Sequence, residues 1–189
     1  MPQSYSSVGR CRKSEDSAPG TFQTVPHDNA ISTISKEVEP AVLTLNNEHA
    51  AELSWLEPER LSFLIGQAFY ARRIGNLEAF LLAFDQSADY DSPNFLWFRQ
   101  RYPRFVYVDR IAVAACARGR GHARRLYDDL FGHAARAGHD RVACEVNSQP
   151  PNPASDAFHA ALGFAEIGDA VIHGGAKSVR YFLRPLASA

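Results

Sequence analysis

The chain has 189 residues, of which 46% are hydrophobic and 22% charged, and a formal net charge of -1, so one domain with a sizeable core is predicted. The balanced charge gives no general attraction to nucleic acid or to anionic membranes, and no stretch approaches the roughly 18 apolar residues of a membrane-spanning helix. The three cysteines are spaced too widely for a zinc site or a secreted disulfide scaffold, so no metal and a cytoplasmic location are expected.

The first part of the chain divides into a tail and two helices. Residues 1–36 are rich in Ser, Thr, Gly and Pro and lack apolar periodicity, which is typical of a flexible tail. A folded domain is therefore predicted over residues 37–189. Within it, helices are predicted at about 46–54 and at 57–67, the second because Pro58 suits a first helical turn.

Strands and a loop follow. Strands are predicted at 69–74 and 79–84, and the turn pair that begins at Gly75 predicts a hairpin between them. Residues 85–104 are polar, aromatic-rich and irregular, which indicates a surface loop that can include a helical turn. Residues 105–113 alternate and are rich in β-branched and aromatic side chains, so they are predicted to form a strand.

A long amphipathic helix is predicted after the glycines at 119 and 121. Its apolar side chains recur at helical spacing and form one stripe, which consists of Ala123, Leu126, Tyr127, Leu130, Phe131 and Ala134. Gly138 is placed to end the helix, and residues 141–146 are predicted to form the next strand. Strand, helix and strand in this order predict a right-handed crossover and a parallel pair of strands.

The C-terminal part is predicted to hold one short helix and two strands. Ser155 can cap the helix, which ends at Gly163. The strands are predicted at about 164–172 and 178–184, joined by a His-Gly-Gly connection.

The segment between the strand at 105–113 and the long helix is a candidate phosphate-binding turn. Its sequence is Arg118-Gly119-Arg120-Gly121-His122-Ala123. The first amides of a helix lack internal partners and lie at the positive end of its dipole, glycines let a ligand approach the backbone, and arginines add charge. The spacing lacks the Lys-Ser/Thr pair of a P-loop and the third glycine of a dinucleotide fingerprint. A purely structural turn is the alternative.

Two motifs together resemble the GNAT superfamily of acyltransferases. The first is a strand ending in valine, then [Q/R]-x-x-G-x-[G/A] and a helix, which Val113 and the candidate turn match in type and order. The second is an Asn followed by an aromatic residue or Leu, a Tyr and a Gly-Phe pair, which Asn152, Phe158 and the pair at 163–164 match. His159 departs from the pattern, because the family most often has Tyr at this position.

The resemblance implies an α/β fold with a mixed, mostly antiparallel central sheet of six to seven strands flanked by about four helices. It also implies acetyl-CoA as the co-substrate. Strand residues would offer backbone groups to its pantetheine arm, the candidate turn would hold its pyrophosphate, and the second motif would add further contacts. The implied cofactor-binding residues are Ile111, Ala112, Val113, Arg118, Gly119, Arg120, Gly121, His122, Ala123, Asn152 and Phe158.

Acetyl transfer to an amine needs a base and an acid. An amine near pH 7 is mostly protonated, so a general base must remove a proton, and Asp109 and Glu145 are the candidates. Asp109 is predicted to share a strand face with Ile111, and Glu145 lies on the neighbouring predicted strand, although either carboxylate could instead form a salt bridge. The departing thiolate needs a proton, which the family usually obtains from the Tyr that His159 replaces. A buried histidine without a chemical role is the alternative for His159.

The acceptor in this family enters between the first helices and the loops at the opening of the sheet. Carboxylates and aromatic faces in this region could attract a cationic amine, and a solvated loop pinned by its aromatic residues is the alternative. The corresponding residues here are Asn46, Asn47, Glu48, Trp55, Asp85, Asp89, Tyr90, Asp91, Phe95 and Trp97.

These features favour an N-acetyltransferase that acts by direct transfer on a small amine, an amino acid or a peptide N-terminus. An acyl-CoA-binding module without turnover is the main alternative, because a histidine stands at the acid position. A regulator that binds another diphosphate is a third. No nucleic acid or membrane partner is expected, and a homodimer is left open.

Overall fold

Seven strands form one sheet in the computed structural model, which describes residues 29–175 and 177–187. The strands are β1 (Ile31–Thr33), β2 (Tyr70–Ile74), β3 (Ala79–Asp85), β4 (Val106–Val113), β5 (Arg141–Gln149), β6 (Ala165–Ile172) and β7 (Lys177–Pro185). They lie in the order β1-β2-β3-β4-β5-β7-β6. β4 and β5 run parallel, and the other neighbours within these ranges are antiparallel. The predicted mixed, mostly antiparallel sheet is confirmed.

Six α-helices flank this sheet within the described ranges. They are α1 (Glu39–Glu48), α2 (Ala50–Leu53), α3 (Pro58–Gln67), α4 (Pro93–Arg99), α5 (His122–Arg136) and α6 (Pro153–Ala161). The helix predicted at about 46–54 spans all of α2 but only the last three residues of α1, and α4 lies in the segment predicted as a loop that can include a helical turn. Among the helices that the structure describes, none combines the length and apolarity needed to cross a membrane.

The folded part begins earlier than the predicted boundary at residue 37. β1 pairs antiparallel with β2, and Ile34 directly after it is buried. α1 begins at Glu39, before the predicted start at about residue 46. Pro40 suits the first turn of this helix, because an amide hydrogen at that position would have no partner within the helix. The rest of the predicted tail, residues 1–28, lies outside the described residues.

The two faces of the sheet bury separate hydrophobic clusters. α5 covers one face, where its Leu126, Leu130 and Ala134 are fully buried in a cluster with Val106 and Val142. α1, α3 and α4 contribute leucines and aromatic rings to the cluster on the other face. Burial of one Leu side chain stabilises the fold by about 1.5–3 kcal/mol, so the predicted stripe holds α5 firmly against the sheet. The first turn of α5 is thereby fixed near the end of β4.

Candidate active site

A cleft opens in the sheet where β4 and β5 part. Their parallel pairing runs only from Val106 opposite Val142 to Val108 opposite Cys144. Beyond these pairs β4 stays bonded to β3, and β5 stays bonded to β7, so the two strands diverge. The resulting cleft has a volume of about 570 Å³ and is lined by both strands, the turn before α5 and the start of α6.

A bulge in β4 lies beside this cleft. In the pairing with β3, Val108 lies opposite Ala83 and Arg110 opposite Leu82, so Asp109 has no partner. The bulge separates Asp109 from the side-chain alternation of the strand. Asp109 bonds to Tyr90 in the cluster beneath α4, whereas Ile111 packs on the cluster beneath α5. The prediction that Asp109 and Ile111 share a face is therefore wrong.

The first turn of α5 offers unpartnered backbone amides. Gly121 precedes the helix with a φ of 76°, and no side chain caps this end. Among the described residues, no acceptor bonds the backbone N–H groups of residues 121–124. Gly119 has a φ of 75°, and a Cβ at Gly119 or Gly121 would meet nothing within 4 Å, so open space lies beside the backbone. Such a turn fits a diphosphate, because free amides and the helix dipole both favour negative charge.

Charge around this turn is positive. Arg118 and Arg120 are exposed, and neither forms an ion pair with the described residues. Arg118, Gly119 and Ala123 line the cleft, whereas the side chain of Arg120 does not. His122 turns inward: it is 3% exposed, and its ring nitrogens lack partners among the described residues. Only the backbone of His122 is therefore available to a ligand.

The remaining predicted cofactor residues lie on the cleft walls. Ile111, Ala112 and Val113 form the β4 wall, and α6 contributes Asn152 and Phe158. Asn152 also caps α6, because its side-chain oxygen accepts the Ser155 amide at 3.1 Å. The prediction that Ser155 caps this helix is therefore wrong, and the motif Asn has a structural task as well.

Glu145 lies on β5 where the strands part, and neutral groups hold its carboxylate. Asn94 Nδ2 donates to Oε1 at 2.9 Å, and the Tyr107 hydroxyl donates to Oε2 at 2.6 Å. Burial raises the pKa of Glu145 to about 7; the Tyr107 hydrogen bond opposes this rise, and the charge of Asp109 adds to it. The carboxylate can therefore exchange a proton near neutral pH.

Asp109 is engaged in a buried ion pair. Arg110 Nε donates to its Oδ2 at 2.5 Å, and the Tyr90 hydroxyl donates to its Oδ1 at 2.6 Å. Both charged side chains are about nine-tenths buried or more, with 6% of Asp109 and 5% of Arg110 exposed. Asn46 Oδ1 accepts a further bond from Arg110 at 2.8 Å. Asp109 therefore forms a salt bridge, which was the predicted alternative to a role as general base.

His159 has both ring nitrogens in hydrogen bonds. Nδ1 lies 2.8 Å from the Ser155 carbonyl oxygen, which can only accept, so Nδ1 carries the proton. Nε2 lies 2.8 Å from the Tyr127 hydroxyl and accepts from it. Burial lowers the pKa of His159 below its usual value, so the ring is neutral at pH 7. The movable proton of this pair therefore belongs to Tyr127, which lines the cleft with His159.

A second cleft of about 280 Å³ meets the first one. Residues from α2, α3, the segment before α4 and β7 line it. The side chains common to both clefts are those of Glu52, Leu53, Asp109, Arg110 and Glu145. Glu145 thus lies at the junction of the two spaces, where a group held in one can meet a group held in the other.

Several residues predicted for the acceptor site hold the fold instead. Asn46 and Asn47 bond to the backbone of the loop before α3. Phe95 is fully buried, and Trp97 stacks on Tyr181 with ring centroids 4.2 Å apart. Of the predicted set, only Tyr90 and Asp91 line the second cleft.

Sequence reasoning missed four residues of this site. Tyr107 and Tyr127 are fully buried, and a phenol at a core position is a signal, because its hydroxyl needs a polar partner there. Asn94 lies in the first turn of α4, within a segment that has no periodic pattern, so nothing in the sequence indicated its bond to Glu145. Lys177 starts β7 and lines the second cleft, and its position depends on the order of strands in the sheet.

Comparison with known proteins places this geometry in a family. The profile of the Acetyltransferase (GNAT) family matches residues 46–164, which is more than half of the chain. The L-2,4-diaminobutyric acid acetyltransferase of Wolinella succinogenes is 36% identical over 67 residues. That match spans 35% of this chain and 39% of the relative's length.

Solved structures share the fold. The ribosomal-protein-S18-alanine N-acetyltransferase from Escherichia coli has a TM-score of 0.63 at 17% identity, over 85% of this chain and 95% of that one. A Salmonella typhimurium protein solved with its cofactor acetyl-CoA has a TM-score of 0.61 at 19% identity, over the same shares of the two chains, 85% and 95%. The family profile spans the parted strands, the turn before α5 and the start of α6. The chain therefore belongs to the GNAT family.

Proposed function

We propose that this protein moves the acetyl group of acetyl-CoA directly to a primary amine, with Glu145 as the general base. The observation that carries the proposal is the position of Glu145 at the junction of two clefts, with a pKa raised to about 7. A base with such a pKa is half ionised near neutral pH, where it can still take a proton from an ammonium group.

The larger cleft is the proposed acetyl-CoA site. The N–H groups of residues 121–124 would bind the diphosphate, with Arg118 and Arg120 adding charge. The backbone of Ile111, Ala112 and Val113 would face the pantetheine arm, because β5 has left this edge of β4 free. Bound acetyl-CoA supplies an activated thioester. Backbone donors on the parted strand would stabilise the negative charge that develops on its carbonyl oxygen.

The smaller cleft is the proposed acceptor site. Glu145 would take the amine proton, while Asn94 and Tyr107 hold its carboxylate in one orientation. Asp109 is less suited to this role, because both of its oxygens already accept bonds and its charge balances the buried Arg110. Its effect on the reaction would be indirect, since its charge helps to raise the pKa of Glu145.

The proton for the departing thiolate is assigned to the Tyr127–His159 pair. His159 was predicted as the acid, but as a neutral ring it offers the cleft no N–H group. The Tyr127 hydroxyl can rotate about its C–O bond toward the cleft, and His159 would hold it in place until then. Tyr127 would thus donate the proton, and His159 would position it.

Tyr127→Phe and His159→Phe are each expected to lower kcat by about tenfold, because the first removes the proton donor and the second removes the hydrogen bond that positions it. The affinity for CoA is expected to stay unchanged in both, since neither change touches the turn before α5. Steady-state kinetics and CoA titration measure the two quantities, and Tyr102→Phe, outside both clefts, is the matched control. Unaltered kcat in both variants would show that Tyr127 and His159 contribute to packing and take no part in the proton transfer.

A panel of amines with acetyl-CoA tests the proposed function. The panel should hold simple alkylamines, amino acids, a peptide with a free N-terminus and L-2,4-diaminobutyrate, because a relative is named for that acceptor. Release of CoA and the mass of the acetylated product are measured together. The alternative, a module that binds acyl-CoA without turnover, predicts tight CoA binding and no amine that exceeds background hydrolysis.

A further inference from the structure

We propose that the acceptor is an amino acid, whose carboxylate Lys177 binds while its amine reaches Glu145. The inference rests on the proposed function and adds the substrate class. It follows from the charges around the smaller cleft, where one cation forms no ion pair or hydrogen bond within the described residues and a base lines the same space.

Two of the three cations on this cleft are already paired. Arg110 bonds to Asp109 and to Asn46. Arg60 forms an ion pair with Asp91 at the rim. Neither guanidinium therefore has its full charge available to an incoming ligand.

Lys177 is the third cation, and it has no such partner. Its side chain is half-buried in the cleft wall, and no ion pair or hydrogen bond to it occurs within the described residues. Its charge lowers the pKa of Glu145, but the hydrogen bonds to the two Glu145 oxygens come from Asn94 and Tyr107. An ammonium group held at a cleft wall in this way is suited to an anion supplied by the ligand.

Two further carboxylates line the same cleft as Lys177. Glu145 and the exposed Glu52 both line the cleft, and both suit an amine or ammonium group. A ligand with a carboxylate at one end and an amine at the other matches this arrangement. The volume of about 280 Å³ lies just below the usual range of roughly 300–1,000 Å³ for ligand pockets, which favours a free amino acid over a long peptide.

Pairs of acceptors that differ only in the carboxylate test this inference. L-ornithine is compared with putrescine, and L-alanine with ethylamine, in the full-length protein. We expect kcat/KM to favour each amino acid by about tenfold or more, because one charge-assisted contact is added. Lys177→Met is expected to abolish this preference through a higher KM for the amino acids. Because the Lys177 charge also lowers the pKa of Glu145, a rate change that follows from this pKa should affect both members of a pair alike, so the ratio of their kcat/KM values is the measured quantity. Lys177→Arg should retain the preference.

Lys36→Met is the matched control, because Lys36 is the other lysine in the described ranges, is exposed and lines neither cleft. CoA affinity of each variant reports on folding. Equal kcat/KM for amino acids and plain amines in the wild type, or an equal loss on both in Lys177→Met, contradicts the inference and leaves the proposed function standing. No transfer to any acceptor contradicts both.

Discussion

Glu145→Gln is expected to lower kcat by about 10²- to 10⁴-fold, the usual contribution of a general base. Glutamine keeps a carbonyl oxygen for one of the two hydrogen bonds from Asn94 and Tyr107, but it cannot take a proton. Because burial raises the pKa of Glu145 to about 7, kcat/KM of the wild type should rise with pH through that value. The variant should lose this rise. Steady-state rates from pH 5.5 to 9 with the best amine of the panel measure both effects.

The stability of the same variant separates a lost base from a damaged fold. The folded-state pKa of Glu145 is raised above its unfolded value, so the folded protein binds the proton more tightly. The contribution of this group to stability is therefore lost as pH rises from about 4.5 to about 7. Glu145→Gln should consequently be at least as stable as the wild type at pH 8. Glu59→Gln is the control, because Glu59 is exposed on α3 and lines neither cleft. Retained activity in Glu145→Gln would show that another group is the general base.

Gly119→Leu is expected to weaken CoA binding by about 100-fold or more, because two or more charge-assisted backbone bonds are blocked at once. Gly119 lines the cleft, and its Cβ would project into open space, so the new side chain would occupy the proposed phosphate site rather than clash with protein. Isothermal titration with CoA measures the change.

Gly174→Leu is the matched control for this substitution. Gly174 also has a positive φ, 64°, and open space at its Cβ, but it lines neither cleft. Both variants therefore carry a similar backbone strain of roughly 1–2 kcal/mol, and only one should lose CoA. Equal CoA affinity in the two variants would contradict the phosphate assignment.

The turn and α5 were predictable because independent signals coincide there. The 3.6-residue stripe that includes Leu126 and Leu130 indicates the helix, and Gly121 marks its start with a left-handed backbone that few other residues adopt. Both signals are local in sequence. The cofactor half of the site could therefore be placed before any tertiary contact was known.

The catalytic half depended on pairings that the sequence does not encode locally. The bulge at Asp109 arises from the register of β3 on β4, and it sets this carboxylate apart from Ile111. The motif located His159, but its tautomer follows from a carbonyl one helical turn back and from Tyr127 on a different helix. Periodicity cannot report such contacts, because they join elements that are distant in the chain.

The cap of α6 was a choice between two suitable residues. Asn152 and Ser155 are both good cap formers, and Pro153 between them favours the earlier start, because proline belongs in the first helical turn. α4 was harder to foresee, since its residues 93–99 include buried aromatic side chains without a long periodic run.

Residue-resolved amide hydrogen exchange with and without CoA tests the central claim most directly. The amides of residues 121–124 have no protein acceptor in the described part of the chain, so they should exchange rapidly in the free protein. Saturating CoA is expected to slow their exchange by about tenfold or more, because each new bond must open before exchange. Unchanged exchange at these four amides in a protein saturated with CoA would contradict the account.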